Sequence, residues 1–191
     1  MTTQALPITG IILAGGEGRR MGGQDKGWVR YQGEPLIHHV SQRLLPQVSE
    51  LLINANRNQA DYQSLGYPVI ADLESGFQGP LMGILTGLKA ASQPWVLFAP
   101  CDGPFLPEDL AARLYQAALD SQQPIAVASD GERLQPVVVL IRRDCLVQLE
   151  AAMQAGERKP DRWYASVGMT SVVFAAEGLR NFNKPEEIPL T

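Results

Sequence analysis

The sequence predicts an α/β domain with an open, mostly parallel central sheet. Short apolar runs that read as buried strands alternate with longer amphipathic stretches of helical period, the βαβα rhythm of such sheets. Glycine or polar residues follow several of the runs directly, as expected where strands deliver loops to a binding edge. The first runs are residues 8–13, 51–53, 69–71, 95–99 and 125–128. Helices are expected over 36–45, 84–91 and 110–119, the last opened by Pro107 and two acidic residues suited to a helix N-terminus. After Pro136 the rhythm weakens into a strand-like run at 137–141, a helix-like run at 144–155 and a further strand-like run at 171–175. That half is expected to add a non-parallel strand.

A chain of 191 residues suffices for one well-buried core and is short for two, so residues 1–191 are read as a single domain. The formal net charge of -4 and a sequence pI near 5.2 argue against broad nucleic-acid or membrane-surface binding, which needs a basic face. Positive charge is nonetheless concentrated locally, at Arg19, Arg20, Lys26 and Arg30. Cys101 and Cys145 lie far apart without CxxC spacing, which points to reduced, structural thiols and to neither a zinc site nor a disulfide framework. No secretory leader pattern and no apolar run near the ~20 residues of a membrane span is present, so a cytoplasmic location is expected.

The segment Leu13-Ala14-Gly15-Gly16-Glu17-Gly18-Arg19-Arg20-Met21-Gly22-Gly23-Gln24-Asp25-Lys26 follows the first strand. Glycines let the backbone approach a ligand closely, and consecutive exposed N–H groups make a concave anion site. Glycine content alone equally describes a tight or flexible turn; Arg20 and Lys26 shift the reading toward phosphate. It is not a Walker A loop: Gly18 and Gly23 have the glycine spacing, but Gln24 stands where Lys is required. Nor is it the dinucleotide fingerprint, because Gly16 and Gly18 would demand glycine at Met21.

With Leu-Ala-Gly-Gly followed by Arg-Arg-Met-Gly-Gly-x-Asp-Lys-Gly, the loop resembles that of the nucleotidyltransferases related to sugar-nucleotide pyrophosphorylases, and within them the molybdenum cofactor guanylyltransferases. Gly18 is a departure, since many members carry Ser or Ala there. The resemblance spans nearly the whole chain, most specifically residues 11–27, 100–106 and 181–187. It implies a Rossmann-like three-layer αβα nucleotidyltransferase fold with a mixed, mostly parallel sheet. It also implies a nucleotide site at Leu13, Ala14, Gly15 and Gly16, with Arg20 and Lys26 on the phosphates.

Other positions gain a reading from the same resemblance. Asn54 and Asp72 follow strands; alone they would be read as turn or cap residues, whereas the resemblance places them at the guanine base. Gly79-Pro80-Leu81-Met82-Gly83 is a helix start by composition, and Gly79 and Gly83 match a segment lining the nucleotide pocket in the family. Asp102, in Cys-Asp-Gly-Pro-Phe after a buried strand, is either a cap for the helix near Pro107 or a magnesium ligand, and the resemblance implies the latter. Asn181 and Asn183, in Asn-Phe-Asn-Lys-Pro-Glu-Glu, match a segment that would complete the metal or acceptor site, Asn183 ranking first. His38 and His39 are read as structural. Arg158, Lys159 and Arg162 form a second basic group, a solvated face by default and otherwise suited to an anionic acceptor.

The implied activity is transfer of GMP from GTP to Mo-molybdopterin with Mg²⁺, giving the guanine dinucleotide cofactor and pyrophosphate, with Lys26, Arg20 and Asp102 as its catalytic groups. Molybdopterin-handling proteins or molybdoenzymes would be the partner proteins, without nucleic acid or membrane. Two alternatives stay open on sequence alone: a cytidylyl or sugar-phosphate nucleotidylyl transferase of the same fold, or a nucleotide-binding or cofactor-binding module without turnover.

Overall fold

The structure, a computed structural model, describes residues 6–16, 23–75, 79–183 and 187. Its centre is a seven-stranded sheet of order β5-β4-β1-β6-β8-β7-β9, formed by β1 (Ile8–Leu13), β4 (Glu50–Asn54), β5 (Val69–Ile70), β6 (Trp95–Pro100), β7 (Ile125–Ser129), β8 (Leu134–Arg142) and β9 (Met169–Val173). Strands β5, β4, β1 and β6 run parallel. β8 is antiparallel to both β6 and β7, while β9 is parallel to β7. The sheet is therefore mixed and mostly parallel, and β8 is the non-parallel strand expected after Pro136.

Strands buried on both faces need helices on both faces. α1 (Leu36–Leu44) and α4 (Leu110–Ser121) cover one, burying Ile37, Val40 and Leu44 with Leu110 and Leu114 against Ile12, Leu97 and Leu140. α3 (Pro80–Ala90), α5 (Leu146–Gln154) and α6 (Pro160–Val167) cover the other, where Leu81, Ile84, Leu149 and Trp163 meet Ile11, Phe98 and Val139. Successive residues of β6 serve opposite cores, Leu97 and Ala99 on one side and Val96 and Phe98 on the other, as the two-residue period of a strand requires.

Among the described residues, several small elements escape the sequence reading. β2 (Arg30–Tyr31) and β3 (Glu34–Pro35) form a hairpin whose turn residues Gln32 and Gly33 both have positive φ, 50° and 82°. The five-residue α2 (Gln59–Gln63) buries only Tyr62, and α6 buries the adjacent pair Trp163 and Tyr164. α3 starts at Pro80, four residues before its apolar run suggests, with Gly79 at φ 81° leading into it.

The chain passes from β1 to β4 on one side and returns to β6 on the other, a topological switch point. Ligands of such sheets bind in the crevice outside the carboxyl ends of the strands there. Because β8 is antiparallel to β6 with Phe98 opposite Val139, its opening residues, Val137 among them, reach the same edge.

Candidate active site

A cleft of about 580 Å³ opens at that edge, within the ordinary size of a small-molecule site. Leu13, Ala14, Gly15 and Gly16 line it from the end of β1, Asn54 from β4, and Pro100, Cys101 and Asp102 from β6. Asp25, Lys26, Asp72, Gly79, Pro80, Gly83, Val137, Asn181 and Asn183 complete it. Every residue the sequence singles out for the nucleotide or metal site is in this lining except Arg20, which lies outside the described residues, as does the rest of the loop from 17 to 22.

Two polar clusters occupy the cleft. In the first, Lys26 Nζ is 3.0 Å from Asp102 Oδ2 and donates to Asn183 Oδ1 at 3.3 Å. Asp102 is 5% exposed, and its Oδ1 has no protein partner among the described residues. It does not cap α4, whose preceding residue is Asp109. Asn183 arrives because Phe182 is fully buried beside Val29, Leu36, Tyr31 and Phe105, while Phe182 N–H donates to the Asp102 carbonyl at 2.9 Å. With the aromatic ring pinned, the two flanking asparagines line the cleft.

The second cluster is an amide–carboxylate set. Asn54 Nδ2 donates to Asp72 Oδ1 at 2.9 Å and Asn56 Nδ2 to Asp72 Oδ2 at 2.8 Å, while Asp72 N–H donates to Asn56 Oδ1 at 2.8 Å. Asn56 also donates to the Gly15 carbonyl at 3.1 Å, tying the set to the start of the glycine-rich loop. Glycine is required on both sides of Asn54: a Cβ at Gly83 would lie 2.9 Å from Asn54 Oδ1, and one at Gly15 would lie 2.8 Å from Asn56 Nδ2 and 3.1 Å from Asn54 Oδ1. Among the described residues, a Cβ at Gly16 would meet nothing within 4 Å. Gly16 therefore presents open backbone, the feature an approaching anion needs.

Residues 10–170 match the family model of the MobA-like NTP transferase domain. The chain belongs to the MobA-like NTP transferase family. Among curated relatives, the molybdenum cofactor guanylyltransferase of Shewanella sp. (strain MR-4) is 46% identical over 185 residues, covering 96% of this chain and 94% of that protein. That of Shewanella frigidimarina (strain NCIMB 400) is 47% identical over 182 residues, 94% and 93% of the two chains. The fold matches the crystal structure of molybdopterin-guanine dinucleotide biosynthesis protein A from Archaeoglobus fulgidus, with a TM-score of 0.74 at 24% identity over 94% of each chain. It also matches CMP:2-keto-3-deoxy-manno-octonic acid synthetase complexed with CTP, with a TM-score of 0.68 at 16% identity, covering 94% of this chain and 93% of that one.

As an NTP transferase the chain is an enzyme whose described site contains no activated side-chain nucleophile. Burial, and next the neighbouring Asp102 charge, push the Cys101 thiol well above its ordinary range, so it stays protonated and inert. Neither histidine lines the cleft: His39 Nε2 is 2.9 Å from the Tyr31 carbonyl. His38 Nδ1 lies 2.9 Å from Glu34 Oε2, a carboxylate four residues earlier in β3 that the sequence reading overlooks. The second basic group is not in the cleft lining. Arg158 Nη1 donates to the Met153 and Glu157 carbonyls at 2.8 and 2.7 Å at the end of α5, and Arg162 borders a separate hollow of about 310 Å³.

Asn56 and Asp25 were missed. Asn56 was legible in the Asn-Ala-Asn spacing, because two residues apart on an extended segment return to one face. Asp25 is 8% exposed and has both oxygens committed, Oδ1 to Tyr62 and Gly27 N–H and Oδ2 to Asn58, and nothing local in the sequence announces those distant partners.

Proposed function

We propose that the cleft transfers GMP from GTP to Mo-molybdopterin, forming Mo-molybdopterin guanine dinucleotide and pyrophosphate with Mg²⁺. The observation that carries the reading is the presence in one cavity of a cation–carboxylate pair, Lys26 and Asp102, and a separate amide–carboxylate set around Asp72. An oxygen of the acceptor's terminal phosphate attacks the α-phosphorus. As that bond forms, the bond from the α-phosphorus to the bridging oxygen breaks and pyrophosphate leaves with the electron pair. The nucleophile is already anionic at neutral pH, so the protein's work is positioning and charge neutralisation. Open backbone at Gly16, together with Lys26, suits the triphosphate, and Arg20 is proposed to join them.

Asp102 fits Mg²⁺: a hard carboxylate with one oxygen uncommitted among the described residues, beside the amide side chains of Asn181 and Asn183. Among the described residues no group of three or more His, Cys, Asp or Glu could cage a metal, which suits an ion held by one carboxylate and the substrate's phosphates. The bound ion would supply charge neutralisation at the reacting phosphates. Each Asp72 oxygen accepts one amide N–H and keeps a lone pair, so the carboxylate can accept from guanine N1–H and N2–H, a donor pair that adenine and cytosine do not present.

The location is proposed to be cytoplasmic, with protein partners that handle molybdopterin or receive the finished cofactor; among the described residues no helix is long and apolar enough to cross a membrane. A thermal-shift panel of NTPs with Mg²⁺, followed by pyrophosphate release with Mo-molybdopterin, tests the reading. GTP should stabilise most and be turned over. Preferential stabilisation by CTP, or GTP binding without release, would refute it.

A further inference from the structure

The segment between β4 and α2 reaches back to the end of the glycine-rich loop. Arg57 Nη1 donates to the Gly23 carbonyl at 2.9 Å and Nη2 to the Gln24 carbonyl at 3.3 Å. Asn58 Nδ2 donates to Asp25 Oδ2 at 2.9 Å, and Tyr62 O–H donates to Asp25 Oδ1 at 2.5 Å. The same Asp25 oxygen accepts Gly27 N–H at 3.3 Å, so the Asp25 carboxylate spans Lys26 and ties the residue after it. Tyr62 is fully buried against Trp28, ring centroids 5.3 Å apart, and closes on Gly27, where a Cβ would lie 2.3 Å from the phenol oxygen. Burial above all pushes the phenol above its ordinary range and keeps it a donor at neutral pH, the Asp25 hydrogen bond acting in the same direction. Asn58 holds φ 51° and ψ 32°, a left-handed conformation that Asn tolerates. None of Arg57, Asn58 and Tyr62 lines the cleft.

We propose that Arg57, Asn58 and Tyr62 are positioning residues for the transfer reaction: they clamp the backbone of residues 23–27 so that the Lys26 ammonium stands at the reacting phosphates. The inference rests on the role given to Lys26 under the proposed function. A lysine carries its charge on a flexible four-carbon stem, so the placement of its Cα limits where the ammonium can dwell. A displacement of about 1 Å at a reacting group can cost on the order of 10²-fold in rate. Tyr62 and Asn58 act through Asp25, and Arg57 through the carbonyls of Gly23 and Gln24.

The test is a cycle of Tyr62→Phe, Lys26→Ala and the double variant, with Asn58→Gly as an independent probe. Phe keeps the ring packing and removes one donor; Gly keeps the positive φ and removes the amide. Melting temperature reports folding, calorimetry reports GTP affinity, and single-turnover pyrophosphate release with Mg²⁺, GTP and Mo-molybdopterin reports rate. Tyr62→Phe and Asn58→Gly should each slow release about tenfold while GTP affinity changes less than about threefold. Adding Tyr62→Phe to Lys26→Ala should cost nothing further, because the group being positioned is gone. A further tenfold loss in the double variant, or parallel loss of rate and affinity in the single ones, overturns the clamp while leaving the reading of Lys26 standing. Wild-type release by Lys26→Ala overturns that reading and the clamp with it. If Tyr62→Phe does not fold, the cycle is run on Asn58→Gly with the same two outcomes.

Discussion

Replacing Asp102 with Asn separates the catalytic role from the structural one, because the amide keeps the shape of the side chain and removes its charge. The structural cost follows from the pair it breaks. The Lys26 and Asp102 side chains are 26% and 8% exposed, which lies between the exposed pairs worth about 0.2–1 kcal/mol and the buried ones whose disruption costs about 3–5 kcal/mol. Lys26 keeps Asn183 Oδ1 at 3.3 Å and some contact with water, so about 1–2 kcal/mol is expected. For a chain of this size that lowers the melting temperature by roughly 2–8 °C. The functional cost is larger: losing one preorganised electrostatic element costs on the order of 10²-fold in turnover, or about 2.7 kcal/mol. Steady-state pyrophosphate release at saturating GTP and acceptor, with Mg²⁺ titrated, reads the second number, and differential scanning fluorimetry reads the first. Asp102→Asn should need more Mg²⁺ and still not reach the wild-type rate. Wild-type turnover with an unchanged Mg²⁺ requirement would refute the assignment of Asp102 to the metal.

Four further outcomes follow from the same geometry. Gly83→Ala should weaken GTP binding about tenfold by calorimetry, because its Cβ would lie 2.9 Å from Asn54 Oδ1 and 3.0 Å from Leu13 Cδ2; Gly16→Ala, with no neighbour within 4 Å, should leave the melting temperature of the free protein unchanged. Asp72→Ala should narrow the gap between GTP and other nucleotides by about 1–3 kcal/mol in competition calorimetry, since it removes the acceptor pair and frees the amides of Asn54 and Asn56. Burial holds Cys101 well above the ordinary thiol range and pushes Cys145 up to about 11, so neither should react with iodoacetamide in the native protein at neutral pH, and mass spectrometry should find both modified after denaturation. At the opposite edge of the sheet, burial raises the Glu50 carboxyl, but hydrogen bonds from Thr9 and Ser92 outweigh it and hold the net value below 4.5. A folded value below the unfolded one stabilises above the unfolded value and is lost as pH falls through the folded one. The melting-temperature advantage over Glu50→Gln should accordingly be present at pH 7 and shrink progressively below pH 4.5.

The central strands of the large sheet were legible because their buried runs are continuous in sequence and end in a residue with a different task, as at Ile53-Asn54 and Cys101-Asp102. The same ordering made most of the cleft legible, since parallel strands deliver those end residues to one edge. What stayed hidden depends on contacts between distant segments. α2 has no apolar stripe, and its single buried residue, Tyr62, is there to meet Asp25, 37 residues earlier. α6 buries adjacent aromatics, which no helical period displays. The basic group at Arg158 and Arg162 shows the converse: charge that looked suited to an anionic acceptor is in part spent on carbonyls at the end of α5.

These differences bear on how donor and acceptor share the cleft. The amide–carboxylate set is built from β4, the loop after it and the second residue after β5, all on one side of β1, and it is tied to Gly15 through Asn56. The cluster around Lys26 draws Asp102 from the turn after β6, on the other side of β1, and Asn183 from the C-terminal segment that Phe182 anchors. A base held by the first set and phosphates held at the second would lie across the end of β1, over the open backbone of Gly16. The acceptor phosphate must then approach from the β6 and β8 side, where Val137, Asn181 and Asn183 line the cleft. If so, Asn181→Ala should raise the KM for Mo-molybdopterin more than it weakens GTP binding. Equal loss of both, measured by initial rates and calorimetry on one preparation, would place Asn181 on the nucleotide and reverse this division of the cleft.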